Sequence, residues 1–522
     1  MATDTGRFPQ FIAAVAALRG EREAARVDAW QQRLSWSYND LAALADARPA
    51  GLPIAVPEPA QPGHVPGYRP EERAEASATR IAARVRRGEQ RAADVAQQSL
   101  DAAHAWRHAN LFTALDADDV LSQAERIDRE AGRGVDPGPL AGVPFAVKDL
   151  MPVAGYALTG GTRGRPARMA DRDAPVVERL RRAGAIIFGV TNLHEVAFGV
   201  TSANPHFGTV VNPRHPERIP GGSSGGSGGV VAAGIAPLAI GTDTGGSIRI
   251  PAACCGVVGF KPSYGVVDTT DVLPLAWSLD HVGPLSATVD DAALAFEVMA
   301  RLAPGTASHA FDRPPSFVLL RGFVSDVLDA DVERCMGEVE AGWHRAGARV
   351  TAVAVDALRL ATAAQFVTLG SEAAAANADL LSAAPGSLGE DVRTRLEMGQ
   401  CFLATDYVQA QRIRRDVRDA LMQALGDADV LVTPTLPCVP PPAGQSVVSV
   451  RGQAMPIAGM MTRLTSPFNM TGLPALSIPC GFDPQGLPIS VQIIGRPGDD
   501  ARVLAAGRWV EARLTRTASA EE

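Results

Sequence analysis

Residues 218–265 read RIPGGSSGGSGGVVAAGIAPLAIGTDTGGSIRIPAACCGVVGFKPSYG, and this stretch sets the reading of the whole chain. Most of its glycines and serines fall in two clusters, Gly221–Gly229 and Gly241–Ser247. Between them, after an expected helix at Val230–Gly234, the apolar run Pro237–Ile240 has the length and composition of a buried strand. A flexible linker does not sit between buried elements. The glycines are therefore read as backbone that must pass close to another group without a Cβ in the way.

Three chemistries compete for such a segment. A phosphate cradle of the GxxxxGK[ST] kind requires a lysine, and none lies nearby. A nucleophile elbow, GxSxG, matches at Ser223, Ser224 and Ser227 alike, so the pattern has little meaning in this composition. Elbow enzymes also need an acid and then a histidine further on, whereas only His281, His309 and His344 follow the loop and the last 178 residues contain none. The third chemistry is a nucleophilic serine whose base is neither histidine nor carboxylate.

The lysine census points the same way. Of 49 basic residues only Lys148 and Lys261 are lysine. Where arginine serves almost everywhere, a retained lysine suggests a task that guanidinium cannot perform, namely giving up its proton when desolvated. Lys148 closes the expected strand Val143–Val147.

Working outward, helices are expected at Ala74–Arg87, Ala92–His108, Asp118–Ala131, around Ala174–Ala183, at Asp290–Leu302 and from Asp500. Strands are expected at Ala185–Val190, Ser316–Val324, Val430–Thr433, Ala475–Pro479 and Ile489–Ile494, and Leu358–Asp427 reads as helices alone. The alternation argues an α/β fold with helices layered on a sheet. Residues 1–72 read as a small helical extension followed by the Pro-rich tract Gly51–Pro70, and 73–522 as the catalytic body.

Composition bounds the partners. The chain has 522 residues, 46% of them apolar, and a net charge of −8, so it lacks the basic footprint of a nucleic-acid binder. Six cysteines without a C-x-x-C pair fit neither a disulfide framework nor a zinc ribbon, and a reducing cytoplasm is the expected location. The apolar run Phe11–Leu18 follows an acid and gives way to charges, so it reads as an amphipathic helix and not a signal peptide, and no stretch reaches the roughly 20 apolar residues of a membrane span. No nucleic acid, membrane, metal or other cofactor is expected. His194 and Glu195 make no metal-binding spacing.

The segment 218–265, together with Pro139–Asp149 (PLAGVPFAVKD), resembles the amidase signature family, with a Lys-bearing strand end, a Gly/Ser loop and a TGGS-I-R loop in that order. The resemblance spans about Ala74 to Leu514 and implies a large mixed β-sheet sandwiched between helices. It implies an amidohydrolase acting on a small-molecule amide, anilide, carbamate or urea, with Ser247 as nucleophile, Ser223 as proton relay and Lys148 as base. Ser223 is expected on a cis peptide after Gly222. The backbone N–H groups of Thr244, Gly245, Gly246 and Ser247 are expected to form the oxyanion hole. Ser224 is read as a supporting hydrogen-bond partner, Lys261 as a salt-bridged structural support, and Arg249 as a structural partner of Asp243. Leu158–Thr162 (LTGGT) departs from the family pattern beside the cleft. The family's frequent dimers make a homodimer an expected assembly, and the same resemblance admits one component of a tRNA-dependent amidotransferase or a silent scaffold.

Overall fold

The computed structural model describes residues 76–518 apart from 166–167, 308–309 and 384. The expected helical extension and linker, 1–72, lie outside the described residues.

Short runs bounded by glycine, proline and polar residues become strands, and those in the middle of the main sheet are buried on both faces. In chain order they are β1 (Phe112–Ala114), β2 (Pro144–Lys148), β3 (Ala157–Leu158), β4 (Arg168–Met169), β5 (Ile186–Thr191), β6 (Leu238–Asp243), β7 (Val258–Lys261), β8 (His281–Ser286), β9 (Ser316–Arg321), β10 (Arg349–Ala354), β11 (Val430–Pro434), β12 (Val447–Val450), β13 (Gln453–Pro456), β14 (Ala475–Phe482) and β15 (Pro488–Ile494). Eleven of them form one sheet, ordered β1-β5-β2-β6-β8-β7-β14-β15-β11-β9-β10, while β3-β4 and β12-β13 are separate ribbons. The sheet is mixed, as expected. β2 runs parallel to both β5 and β6, and β9 parallel to both β10 and β11, whereas the centre from β6 to β11 is antiparallel. β2, β5 and β6 are buried along their whole length, which is why they read as apolar runs without alternation.

Helices cover the sheet. Val289–Met299 packs on β8 and on the closing helix Asp500–Ala518, and its Phe296 meets Phe260 of β7 edge-on at 5.2 Å. Leu358–Ala376 and Ala404–Leu425 pack on each other, and the stretch between them is helical, as its sequence suggests.

Several boundaries move for identifiable reasons. The helix expected at Val230–Gly234 runs instead from Gly225 to Ala232. Its four glycines are poor helix formers, but a Cβ on Gly226 would meet the Asn192 carbonyl oxygen at 2.3 Å, so close packing overrides propensity. The strand expected at Ser316–Val324 stops at Arg321, because Gly322 takes φ +66 and the chain enters a 3-10 turn. β8 is unannounced because Gly283 and Pro284 interrupt it, and Pro284 supplies no N–H to its ladder with β6. The helix Ala330–Arg345, capped by the Asp329 side chain on the Asp331 N–H, was also absent from the expected elements.

Candidate active site

β2 and β6 are parallel neighbours, with Val147 opposite Ile240. Their carboxyl ends, Lys148 and Asp243, therefore open on one edge of the sheet, where loops can meet a ligand. Lys148 Nζ lies 2.8 Å from Ser223 Oγ, 2.9 Å from Ser224 Oγ and 2.8 Å from Thr242 Oγ1. The amine is wholly buried and faces hydroxyls, not a carboxylate. Burial lowers its pKa from 10.5 to about 7, although the nearby charges of Asp243 and Asp280 pull the other way. An ammonium would donate to all three hydroxyls. A neutral amine has two N–H groups and one lone pair, so one hydroxyl must then donate to it.

The Gly222–Ser223 peptide is cis, as the resemblance implies. The Ser224 N–H donates to the Ser247 carbonyl at 3.3 Å, joining the first glycine loop to the second, and Ser224 Oγ donates to the Thr242 carbonyl at 3.2 Å. Ser224 thus supports the site from two directions. Ser247 is 7% exposed, whereas Lys148 and Ser223 are 0%, so the serine lies nearest the surface of the three.

Behind the turn, Asp243 and Arg249 form an ion pair with both side chains at 0% exposure. All five guanidinium N–H donors are used, on both Asp243 carboxylate oxygens, the Thr465 carbonyl, Gln492 Oε1 and Asn469 Oδ1. Burial works against charge on Asp243, but Arg249, Lys261 and the Asn469 amide outweigh it and hold its carboxyl below the usual range. Arg249 is structural, as expected. Lys261, expected to be salt-bridged, donates instead to the carbonyls of Leu473 at 2.6 Å and Pro262 at 3.1 Å. The strand pairing of Ala475 with Lys261 brings the Leu473 carbonyl within reach.

Gly246 departs from the expected donor set. Its N–H donates to Asp243 Oδ1 at 2.8 Å, which leaves Thr244, Gly245 and Ser247 as the candidate oxyanion donors. Gly246 holds φ +136 and a Cβ there would meet Thr465 Oγ1 at 2.3 Å, so glycine shapes the turn instead of supplying its donor. Thr465 Oγ1 donates to the Gly245 carbonyl at 2.6 Å, and Thr244 Oγ1 to Asp280 Oδ1 at 2.6 Å. Asp280 also accepts from the Leu275 and Ala276 N–H groups, and burial pushes its carboxyl up to about 6.

His194 and Glu195 make separate pairs, His194 with Asp391 at 3.0 Å and Glu195 with His206 at 2.8 Å. Among the described residues no group of three or more His, Cys, Asp or Glu side chains is placed to hold a metal ion. The loop they begin carries Val196 at φ 44, Ala197 at φ 61 and Ser202 at φ 54. Left-handed backbone at a β-branched residue costs on the order of 1–3 kcal/mol and persists only where surroundings enforce it. Here the His194 N–H donates to the Ser223 carbonyl and the Val196 N–H to the Gly160 carbonyl. Thr159, next to Gly160, is anchored on Asp149, beside the lysine, by its hydroxyl and by its N–H at 2.9 Å. Sequence reasoning passed over Thr242, Asp280, His281 and Thr465. Thr242 is the penultimate residue of β6 and carried a signal, since a strand paired with the lysine strand must present neighbours to it.

The chain matches the family model described as Amidase over residues 94–504. It is 35% identical over 470 residues to a glutamyl-tRNA(Gln) amidotransferase subunit of Synechococcus sp., covering 82% of this chain and 95% of that protein. It is 33% identical over 423 residues to the fatty acid amide hydrolase of Arabidopsis thaliana, covering 76% of this chain and 68% of that protein. A crystal structure of an amidase superimposes with a TM-score of 0.80 at 35% identity, covering 84% of this chain and 99% of the other.

Proposed function

The chain belongs to the amidase family, and on that premise we propose that it is a serine amidohydrolase cleaving the C–N bond of a small-molecule amide, anilide, carbamate or urea through an acyl-enzyme. The observation that carries this reading is the wholly buried Lys148 amine held 2.8 Å from the Ser223 hydroxyl. With its pKa brought to about 7, the amine is half neutral at neutral pH and able to act as a base.

Ser247 Oγ attacks the substrate carbonyl carbon while its proton passes to Ser223 Oγ, which gives its own proton to Lys148 Nζ. The carbonyl oxygen gains negative charge against the N–H groups of Thr244, Gly245 and Ser247, fixed in place before the reaction. Collapse breaks the C–N bond, and the proton returns through Ser223 to the leaving nitrogen. Water then attacks the Ser247 ester over the same relay. Arginine at 148 would hold its proton and block the first step.

The test is amine or ammonia release from a panel of aliphatic amides, anilides, carbamates, ureas and glutamine, with wild type, Ser247→Ala and Lys148→Ala. Turnover that both variants lose supports the relay. Wild-type-like turnover by Ser247→Ala would show the nucleophile to be another residue. A second reading is favoured by the 35% identity across 95% of an amidotransferase component, namely a glutamine-hydrolysing member of a larger assembly. It predicts glutamine as the preferred panel member and activity that depends on co-purified partner chains.

A further inference from the structure

The relay recharges Lys148 whenever the acid product ionises within the site. In deacylation, RCO–O–Ser247 and H2O give HO–Ser247 and RCOOH. The acid then ionises, and its proton travels back through Ser223 to the stronger base, leaving RCOO⁻ and a charged Lys148. The next attack needs a neutral amine, so each turnover must end with that proton reaching solvent. Lys148 itself is fully buried, and so are Ser223 and Ser224.

Thr242 is the third hydroxyl on Nζ, and it alone of the three lines a cavity of about 200 Å³. Leu150, Trp277, Asp280 and His281 line the same space, and its rim residues Thr269, Pro274 and Trp277 are exposed. Beyond the Thr242 and Thr269 hydroxyls, the polar residues of the wall are Asp280 and His281. His281 Nδ1 faces the carbonyls of Leu279 at 2.6 Å and Asp243 at 3.2 Å and so carries the ring hydrogen. Nε2 is then a bare acceptor, buried and without a protein partner. Asp280 adds its carboxylate. Water occupies roughly 30 Å³ per molecule and needs two to four polar partners, conditions that this wall and volume meet.

We propose that the Thr242 hydroxyl and this cavity form the proton exit of Lys148. The hydroxyl accepts a proton from charged Nζ and releases its own to cavity water, which passes it along the Asp280 and His281 wall to solvent. The proposal rests on the base role given to Lys148 above. Thr242 acts through the lysine, so its loss slows the reset between turnovers more than it slows the first turnover.

The experiment is stopped-flow hydrolysis of p-nitrophenyl butyrate at pH 8, where the first burst of nitrophenol reads acylation and the following linear phase reads deacylation plus reset. Thr242→Val is expected to slow the linear phase about tenfold more than it slows the burst, with Thr242→Ser restoring both and about 100 mM imidazole partly rescuing the linear phase of the valine variant. Thr269→Trp narrows the mouth of the cavity without touching Lys148, and it is expected to slow the linear phase alone, which keeps the test informative if Thr242→Val folds poorly. Equal loss in both phases, or a linear phase unchanged in both Thr242→Val and Thr269→Trp, would overturn the exit and leave the relay standing. Wild type without a burst and insensitive to Ser247→Ala would remove the relay itself, and the exit with it.

Discussion

The most direct consequence of the buried lysine is a pH profile set by one amine. With a pKa of about 7, Lys148 is neutral in about 9% of molecules at pH 6, half at pH 7 and about 91% at pH 8. The specificity constant kcat/KM reports the free enzyme, so it should rise about tenfold from pH 6 to pH 8 with unit slope below the midpoint, then level off. At its ordinary pKa of 10.5 the same lysine would instead be about 0.03% neutral at pH 7, and the rate would climb tenfold per pH unit past pH 9. The chain makes the assignment simple, because it holds only two lysines. Protein grown on 13Cε-lysine should give two resonances from the folded chain, and Lys261→Met identifies the one belonging to Lys148. That resonance should titrate with the same midpoint as kcat/KM. A Lys148 midpoint above pH 9, or a rate midpoint more than one unit from that of the resonance, would refute a neutral-lysine base.

The same shift appears in stability. The unfolded chain holds the Lys148 proton up to about pH 10.5 and the folded chain only to about 7. Between those values the unfolded state binds more protons, so the stability of wild type relative to Lys148→Met should rise with pH, by at most about 1.4 kcal/mol per unit. Urea midpoints of the two proteins from pH 6 to 10 measure it. Arg249→Met leaves the Asp243 charge buried without its partner and should cost about 3–5 kcal/mol, read as a lower urea midpoint. Gly246→Ala forces a Cβ into Thr465 Oγ1 at a backbone angle alanine avoids. It should lower kcat by about 10²-fold or more as the Gly245 and Ser247 donors move, with little change in KM; unchanged kcat would show that the turn tolerates the shift.

How far the sequence reached varies by element. The β2, β5, β6, β9, β11, β14 and β15 strands lie within a few residues of where their apolar runs place them, because a strand buried on both faces must be a short continuous apolar run. β8 and the glycine-rich first part of the helix Gly225–Ala232 escaped because their residues suit packing against neighbours far away in sequence, not local propensity. Lys148, Ser223 and Ser224 were legible, the first as one of two lysines and the others from the loop that resembles the family's. Thr242 carried only the weak signal of lying on a strand beside the lysine strand, and Asp280 and His281, at the start of the unannounced β8, carried no pattern.

The sequence by itself determined the chemical inventory: two lysines, two glycine-rich loops joined by a buried strand, and no histidine where an elbow enzyme needs one. Those facts are local, and composition and spacing express them. The tertiary structure alone decided which groups meet. Pairing β2 beside β6 put Thr242 on the lysine, burial moved the amine's pKa to about 7, and Asp243 took the Gly246 N–H out of the donor set. Desolvation and hydrogen-bond partnership depend on what surrounds a group in three dimensions, and residues 94 positions apart, such as Lys148 and Thr242, become neighbours only once the sheet has formed.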